Sequence, residues 1–356
     1  MFLSSVRAAA AIAAAMAFVC LAPAAARADL RPAGPEELDG MTAPGDVELP
    51  RHVYEAAGAY RAYMRQASGI SPAFADGAAV AESLRTGASY EVGQLARGAV
   101  AYAAVVALQN EDFVRSVRAE ARGYSGRKAL AAEILADPIV AASFYGADAA
   151  AGQIVASVSD QGARLRAVGD DVRQAAYSVQ SEKWSFAEVE GRDRRLAEAK
   201  ALSSRPMFVS AGEVARLRDA AEGQGALRLR APEAPMYSPV VQRGLALAAL
   251  AVLGEADEGA VDEVMLEPEC AQCLKMAKLN LFQCLAVSKP VYEDVFCLGQ
   301  HGLKDTGDCI AETSSTSWKP TAARRRYSLA PRPAAAPAPP RSWEAAYDAW
   351  RDSGRW

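Results

Sequence analysis

The amino-acid sequence predicts an all-α fold: a multi-helix bundle with a disulfide-stapled helical module near the C-terminus. Through most of residues 50–315, apolar residues recur three and four positions apart, the spacing of an amphipathic helix. The alternation typical of strands is confined to residues 227–230, which have no partner in the sequence. Five of the six cysteines lie between positions 270 and 309. In an exported chain such a cluster indicates a disulfide framework.

The first 28 residues have the features of a secretion signal. Residues 1–7 contain one arginine, residues 8–22 are apolar, and Ala26 and Ala28 place small residues before a cleavage site. We therefore expect cleavage after Ala28 and a mature chain that is periplasmic or secreted. Residues 29–49 hold three prolines and three glycines, which predicts a disordered lead-in.

Residues 50–205 form the predicted helical bundle. Within them, Val158, Leu165, Val172, Val179 and Phe186 recur every seven residues. This period is typical of long helices packed side by side. The pattern predicts a helix over residues 155–200, with a break near Trp184 or Gly191. Gly162 and Gly169 weaken it, because glycine in a helix interior costs up to about 1 kcal/mol.

Residues 206–315 form the predicted second helical half, which contains the cysteine cluster. Ser210 is a candidate N-cap, with Glu213 three residues later completing a capping box. Helices are predicted over residues 267–288, 291–300 and 303–310. The last two are separated by Gly299 and Gly302, which we expect to break the chain there.

The helical spacing of the cysteines predicts how they pair. Cys273 and Cys284 are eleven residues apart, three helical turns, and therefore lie on nearly the same face. A reversal at Pro290 places Cys284 opposite Cys297, and Cys273 can then meet Cys309 on the third helix. Cys270 is left unpaired, or exchanges with Cys273.

Two chemical alternatives compete with a structural framework. Cys270 and Cys273 form a CxxC pair at a predicted helix start, where the helix dipole favours a thiolate, as in thiol-redox proteins. Neighbouring glutamates oppose this, and no βαβ pattern surrounds the pair. A zinc site from Cys297, His301 and Cys309 is the other alternative, although the spacing contains no tight ligand pair. We predict no metal site and no cofactor.

Charge and hydropathy narrow the classes of partner. The predicted signal contains two arginines and no acidic residue, so the mature chain would have 37 basic and 43 acidic residues. This balance argues against nucleic-acid binding, which requires a basic face. The two most apolar internal runs, residues 98–108 and 244–254, have eleven residues each. A membrane span needs about 20, so no transmembrane segment is predicted in the mature chain.

The sequence contains no convincing catalytic motif, and an enzyme is the less favoured expectation. The weak candidate is Glu82, a helical glutamate followed by Ser83, with Gly93 and Gln94 downstream. A raised-pKa carboxyl in such a place can protonate a glycosidic oxygen, as in helical, lysozyme-like enzymes that cleave peptidoglycan. The interval to the following residues is too short for that pattern, and helical periodicity also explains Glu82 as a solvated residue.

The C-terminal tail has two parts. Residues 316–341 are a linker rich in proline, alanine and arginine, which predicts an extended polyproline spacer. Residues 342–356 predict a short aromatic helix with Trp343, Tyr347 and Trp350 on one face and Trp356 at the chain end. So short a helix is marginal in water and needs a surface to fold against. That surface is either another protein or the chain's own bundle.

Together these features predict an exported, non-catalytic binding or scaffolding protein of the cell envelope, with an envelope protein as the partner of the tail. The alternatives are a peptidoglycan-cleaving enzyme of lysozyme-like type that uses Glu82, and a periplasmic thiol-redox protein that uses Cys270 and Cys273.

Overall fold

The structure is a computed structural model that describes residues 47–121, 124–227, 229 and 237–314. The predicted signal, most of the lead-in, the linker and the aromatic helix with Trp343, Tyr347, Trp350 and Trp356 lie outside the described residues. The α-helices are α1 Arg51–Ala67, α2 Gly77–Ala88, α3 Val92–Ala107, α4 Glu111–Glu120, α5 Tyr124–Ala136, α6 Ala147–Ile154, α7 Asp160–Ser178, α8 Arg192–Ser203, α9 Ala211–Ala221, α10 Pro239–Leu253, α11 Glu258–Met265, α12 Pro268–Val287, α13 Val291–Cys297 and α14 Asp305–Ser314.

The all-α prediction is confirmed. The described residues contain no strand, and their one β-type pairing is an isolated antiparallel bridge between Glu188 and Pro290. Several helices begin at the polar caps that the sequence provides. Ser210 accepts a hydrogen bond from the Glu213 N–H, and Asp257 accepts one from the Ala260 N–H. Such caps satisfy backbone donors that a helix start leaves unpaired.

Both predicted halves contribute to one hydrophobic core. Helices α3 and α10 are buried along most of their length and pack against each other, with α1 on the other side of α3. The approach is close because Gly98 lies against the Ala56 carbonyl and Gly244 lies against Ala103. Val47 and Leu49, at the end of the segment expected to be disordered, are also buried in this core.

The predicted helix over residues 155–200 is interrupted earlier than expected. A π-helical turn, Val155–Ser159, leads into α7, which ends at Ser178. Two short 3₁₀ turns and an extended stretch then lead to α8, which starts after Gly191 in a left-handed conformation with φ of 62°. The seven-residue pattern fails at Phe186, whose side chain is 59% exposed. Its position in the repeat was therefore coincidental.

The prediction that Gly299 and Gly302 break the C-terminal helices is wrong. Helix α13 continues through the π-helical segment Leu298–Lys304 directly into α14. Gly299 instead lies at a close crossing with α7, where Gly162 and Gly169 lie on the opposite side. A β-carbon on Gly169 would be 2.4 Å from the Lys304 nitrogen, and one on Gly299 would be 2.4 Å from the Arg173 nitrogen. We call this crossing the glycine seam; Gly162, Gly169, Gly299 and Gly307 form it.

Two disulfides hold the C-terminal helices together, and their pairing is the one predicted. Cys273 bonds to Cys309, and Cys284 bonds to Cys297. Cys270 is buried and unpaired. The bridges connect α12 to α13 and to α14 and form the disulfide-stapled helical module.

Among the described residues, no single helix is long and apolar enough to cross a membrane. Helices α3 and α4 taken together have the length and apolar composition of a membrane span, but they are bent by 88° relative to each other.

Candidate functional site

A cleft of about 570 Å³ lies between α2, α8 and residues 184–191, with the facing ends of α12 and α13 completing it. This volume is typical of ligand-binding sites. Small and aliphatic side chains form much of its lining, including Ala78, Val80 and Leu84. Trp184 contributes an aromatic surface, and charged residues provide most of the remaining lining.

A buried ion pair forms one wall of the cleft. The side chains of Arg195 and Asp294 are only 10% and 4% exposed. The Arg195 guanidinium also donates to the Leu285 carbonyl, and the Ser288 hydroxyl donates to Asp294 over 2.7 Å. Burial raises the pKa of Asp294 although Arg195 and Ser288 act to lower it. Separating or truncating either partner would leave an uncompensated buried charge, which is strongly destabilising. The ion pair therefore holds this wall in place.

A neighbouring arginine fixes the same wall. Arg192 donates to the Ser288 carbonyl over 2.8 Å and to the Ala286 carbonyl over 3.1 Å. These carbonyls lie at the C-terminal end of α12, where backbone acceptors lack helical partners and cations are favoured. The first turn of α8 is thereby attached to the end of α12.

Residues 187–190, which we call the edge segment, line the cleft; Glu188 forms the bridge to Pro290, and the chain turns at Glu190 and Gly191 before α8. The Val189 N–H donates to the Lys289 carbonyl over 2.9 Å, and the Val291 N–H donates to the Ala187 carbonyl over 3.1 Å. Glu188 is thus opposite Pro290 at a position where proline needs no N–H. The Glu188 N–H and carbonyl point away from residues 289–291, and no described residue forms a hydrogen bond with them.

The charges around the cleft are only partly paired. Arg85 pairs with Glu82 at 2.6 Å and approaches Glu198 at 3.9 Å. No ion pair joins Glu188, Glu190 or Arg194 to any residue that the structure describes, and all three are exposed. Two carboxylates and one guanidinium therefore remain available to a ligand.

A buried lysine holds the other wall. Lys278 of α12 donates to the Ala88 carbonyl at the end of α2 over 2.9 Å, and its ammonium lies 3.3 Å from the centre of the Tyr90 ring. Burial lowers its pKa well below the ordinary value, with Glu91 acting in the opposite direction. Ser203 donates to the same carbonyl over 2.9 Å. The end of α2 is thus anchored to α8 and α12.

The weak catalytic candidate does not line the cleft. The Glu82 side chain is 70% exposed on the outer face of α2, where Arg85 donates to it. This is the solvated position that helical periodicity also predicted. The hydrophobic pocket that raises the pKa of a catalytic acid is absent around this exposed side chain.

The cysteines lack the geometry of a redox or zinc site. Burial raises the pKa of the Cys270 thiol to about 12, with the Glu267 carboxylate adding to the effect. Cys273 bonds to Cys309 rather than to Cys270. Cys297 and Cys309 belong to different disulfides, so neither offers zinc a thiolate. Within the part of the chain that the structure describes, no three His, Cys, Asp or Glu residues are grouped as metal ligands.

His301 has a different partner from the one that a zinc site would require. Its Nδ1 lies 2.8 Å from an Asp305 oxygen, and Gln300 donates to the other oxygen over 2.8 Å. Burial acts to raise the pKa of Asp305, but these hydrogen bonds outweigh it and lower that pKa below its ordinary value. The contacts stabilise the junction between the π-helical segment and α14.

The residues of the cleft could not be predicted from the sequence. Leu84, Glu188 and Asp294 come from segments far apart in the chain and share no local motif. One local signal was available, since Pro290 and Gly191 indicate that the helices end near these positions.

No protein-family model matches the sequence, and searches of curated proteins and of solved structures find no significant match.

Proposed function

We propose that this chain is an exported, non-catalytic binding or scaffolding protein of the cell envelope, and that the cleft is its binding surface. The composition of the cleft carries the proposal. Its described lining combines apolar side chains, one tryptophan and unpaired charges, but contains no His, Ser, Thr, Cys or Lys. Such a surface can hold a ligand, and it offers no hydroxyl, thiol or amine nucleophile and no histidine base.

The cysteine chemistry supports a site of action outside the cytoplasm. Disulfides form and persist in oxidising compartments. The described residues contain two, in the module that provides one wall of the cleft. The secretion signal predicted at residues 1–28 would direct the chain out of the cytoplasm as well. The mature protein would therefore act in the periplasm or after secretion.

The aromatic tail supplies a second proposed contact. Trp343, Tyr347, Trp350 and Trp356 follow a linker long enough to separate them from the bundle. We propose that residues 342–356 dock onto an envelope protein through the predicted face of Trp343, Tyr347 and Trp350, with Trp356 at the chain end adding to the contact.

The two alternatives gain no supporting observation. Glu82 is exposed and paired with Arg85, and Cys270 is buried with a raised pKa. If the wild-type protein cleaved wall glycan and Glu82→Gln abolished this cleavage, the proposal of a non-catalytic function would be wrong.

A crosslinking pull-down from the native cell envelope tests the proposal. The wild-type mature chain is compared with Ala78→Trp, which fills the cleft from an exposed helical position, and with a deletion of residues 342–356. Ala132→Trp is the matched control, because Ala132 is exposed on α5 and does not line the cleft.

We expect the wild-type chain and the control to recover the same envelope component, Ala78→Trp to lose it, and the deletion to lose the partner of the tail. Equal recovery by wild type and Ala78→Trp would contradict the role of the cleft.

A further inference from the structure

We propose that the cleft binds an extended basic peptide, which adds as a strand to the edge segment at Glu188. This inference rests on the proposed binding function and names the chemical class of the ligand. Three features of the cleft support it: the unpaired backbone groups of Glu188, the half-buried side chain of Val189 next to it, and an excess of unpaired carboxylates.

The backbone edge requires a ligand that offers both a donor and an acceptor. The Glu188 N–H and carbonyl point away from residues 289–291 and form no hydrogen bond with any described residue. In an antiparallel pair, one peptide residue can exchange both bonds with Glu188. Extended peptides commonly bind to exposed edges in this way.

The burial of Val189 predicts which peptide side chains fit. Val189 is half-buried and packs against the core, whereas Ala187, Glu188 and Glu190 are exposed. A residue opposite Glu188 places its side chain on the same face as Glu188, and its two neighbours face the same way as Val189. Every second peptide residue is therefore expected to be apolar.

The charges that line the cleft predict which peptide residues lie between the apolar ones. The Glu188 and Glu190 carboxylates have no ion-pair partner among the described residues, and the only unpaired cation on the described lining is Arg194. Lysine or arginine opposite these glutamates gains an ion pair, whereas an acidic residue meets like charge. Trp184 also lines the cleft, and tryptophan attracts cations to its ring face. Arg194 disfavours a further basic residue beyond Glu190.

The test uses a fluorescein-labelled peptide of sequence Val-Lys-Val-Lys-Val with blocked ends, titrated with the mature protein and followed by fluorescence anisotropy. The first comparison peptide replaces both lysines with glutamate. The second carries N-methyl groups on both lysine amides, which removes the donor to the Glu188 carbonyl without changing charge. We expect each comparison peptide to bind at least tenfold more weakly.

Protein variants test the same geometry from the other side. The double variant Glu188→Lys, Glu190→Lys should reverse the preference and bind the glutamate peptide at least tenfold more tightly than the lysine peptide. Glu133→Lys is the matched control, since Glu133 is exposed on α5 and does not line the cleft. It should leave the preference unchanged. Circular dichroism and thermal unfolding verify that each variant is folded.

Three results would overturn the inference: no saturable binding of the lysine peptide, equal binding of the N-methylated peptide, or an unchanged preference in the double variant. The pull-down separates this failure from failure of the proposed function. If Ala78→Trp still abolishes envelope crosslinking, the cleft is a binding site whose ligand is not an extended basic peptide. If it does not, the proposed function itself is wrong.

Discussion

Replacing Gly169 with alanine tests whether the glycine seam fixes the packing of α7 against the C-terminal module. A β-carbon at this position would lie 2.4 Å from the Lys304 nitrogen and 2.7 Å from the Lys304 α-carbon. Both are backbone atoms, so relief requires the two helices to move apart rather than a side chain to rotate. Overpacking of a tight interior typically costs about 1–3 kcal/mol.

The preference of helices for alanine over glycine offsets part of this loss of stability. Alanine is favoured over glycine in a helix interior by about 1 kcal/mol. The helices must separate by about 1 Å to reach ordinary contact distance, and the seam repeats at Gly162 and Gly307. The upper half of the packing range, about 2–3 kcal/mol, therefore applies, and we expect a net loss of about 1.5 kcal/mol. In domains of 150–250 residues this corresponds to a decrease in Tm of about 3–6 °C.

The assay is urea unfolding of the oxidised protein, followed by far-ultraviolet circular dichroism. Gly212→Ala is the matched control, because Gly212 lies in α9 with no atom within 4 Å of its β-carbon position. That variant should be more stable than wild type by about 0.4–1 kcal/mol. Opposite signs for the two variants would confirm the close approach. A Gly169→Ala protein as stable as wild type would show that the helices are farther apart than described.

Three further predictions concern the disulfide module. Cys270 is the one free cysteine among the described residues. In the mature chain that cleavage after Ala28 would give, we expect no labelling by a maleimide in native conditions and one label after denaturation. Rapid native labelling would contradict the burial of Cys270. Replacing Cys284 and Cys297 by serine should lower the free energy of unfolding by about 3 kcal/mol, because the bridge closes a loop with a sequence separation of 13 and so restricts the unfolded chain. Urea unfolding measures this change. An unchanged midpoint would show that the bridge contributes nothing. The lowered pKa of Asp305 means that its carboxylate stabilises the fold above pH 3.8 and that this stabilisation is lost as pH falls through the lower folded-state value. Asp305→Asn should thus be less stable than wild type at pH 7, and thermal unfolding should show this difference shrinking as the pH falls below 3.8. A pH-independent difference would contradict this sign.

The helices and the disulfides could be predicted from the sequence because their determinants are local. Apolar periodicity sets the helical faces, and the eleven-residue spacing of Cys273 and Cys284 sets which cysteines can meet. The capping of α9 by Ser210 is equally local. Ser210 and Glu213 are within one turn, and Cys284 and Cys297 have a sequence separation of 13, so their geometry follows from sequence separation. The Cys273–Cys309 bridge, with a sequence separation of 36, also required the chain reversal that Pro290 predicts.

The glycine seam and the cleft could not be predicted, because their determinants are tertiary. A glycine that ends a helix and a glycine that allows two helices to touch look alike in one sequence, which is why Gly299 was misassigned. The cleft combines α2, the edge segment and the end of α12, more than 200 residues apart in the chain. No spacing rule connects Leu84 to Asp294.

The central claim is that the cleft contacts a ligand in the envelope, and site-specific photocrosslinking tests it most directly. A photoreactive amino acid is placed at Ala187, an exposed residue of the edge segment, and in a second strain at Ala132 on α5. After illumination of intact cells, we predict a discrete covalent adduct from position 187 that is absent at position 132 and is lost when Ala78→Trp is added. The same adduct pattern from both positions, or none from position 187, would contradict the claim.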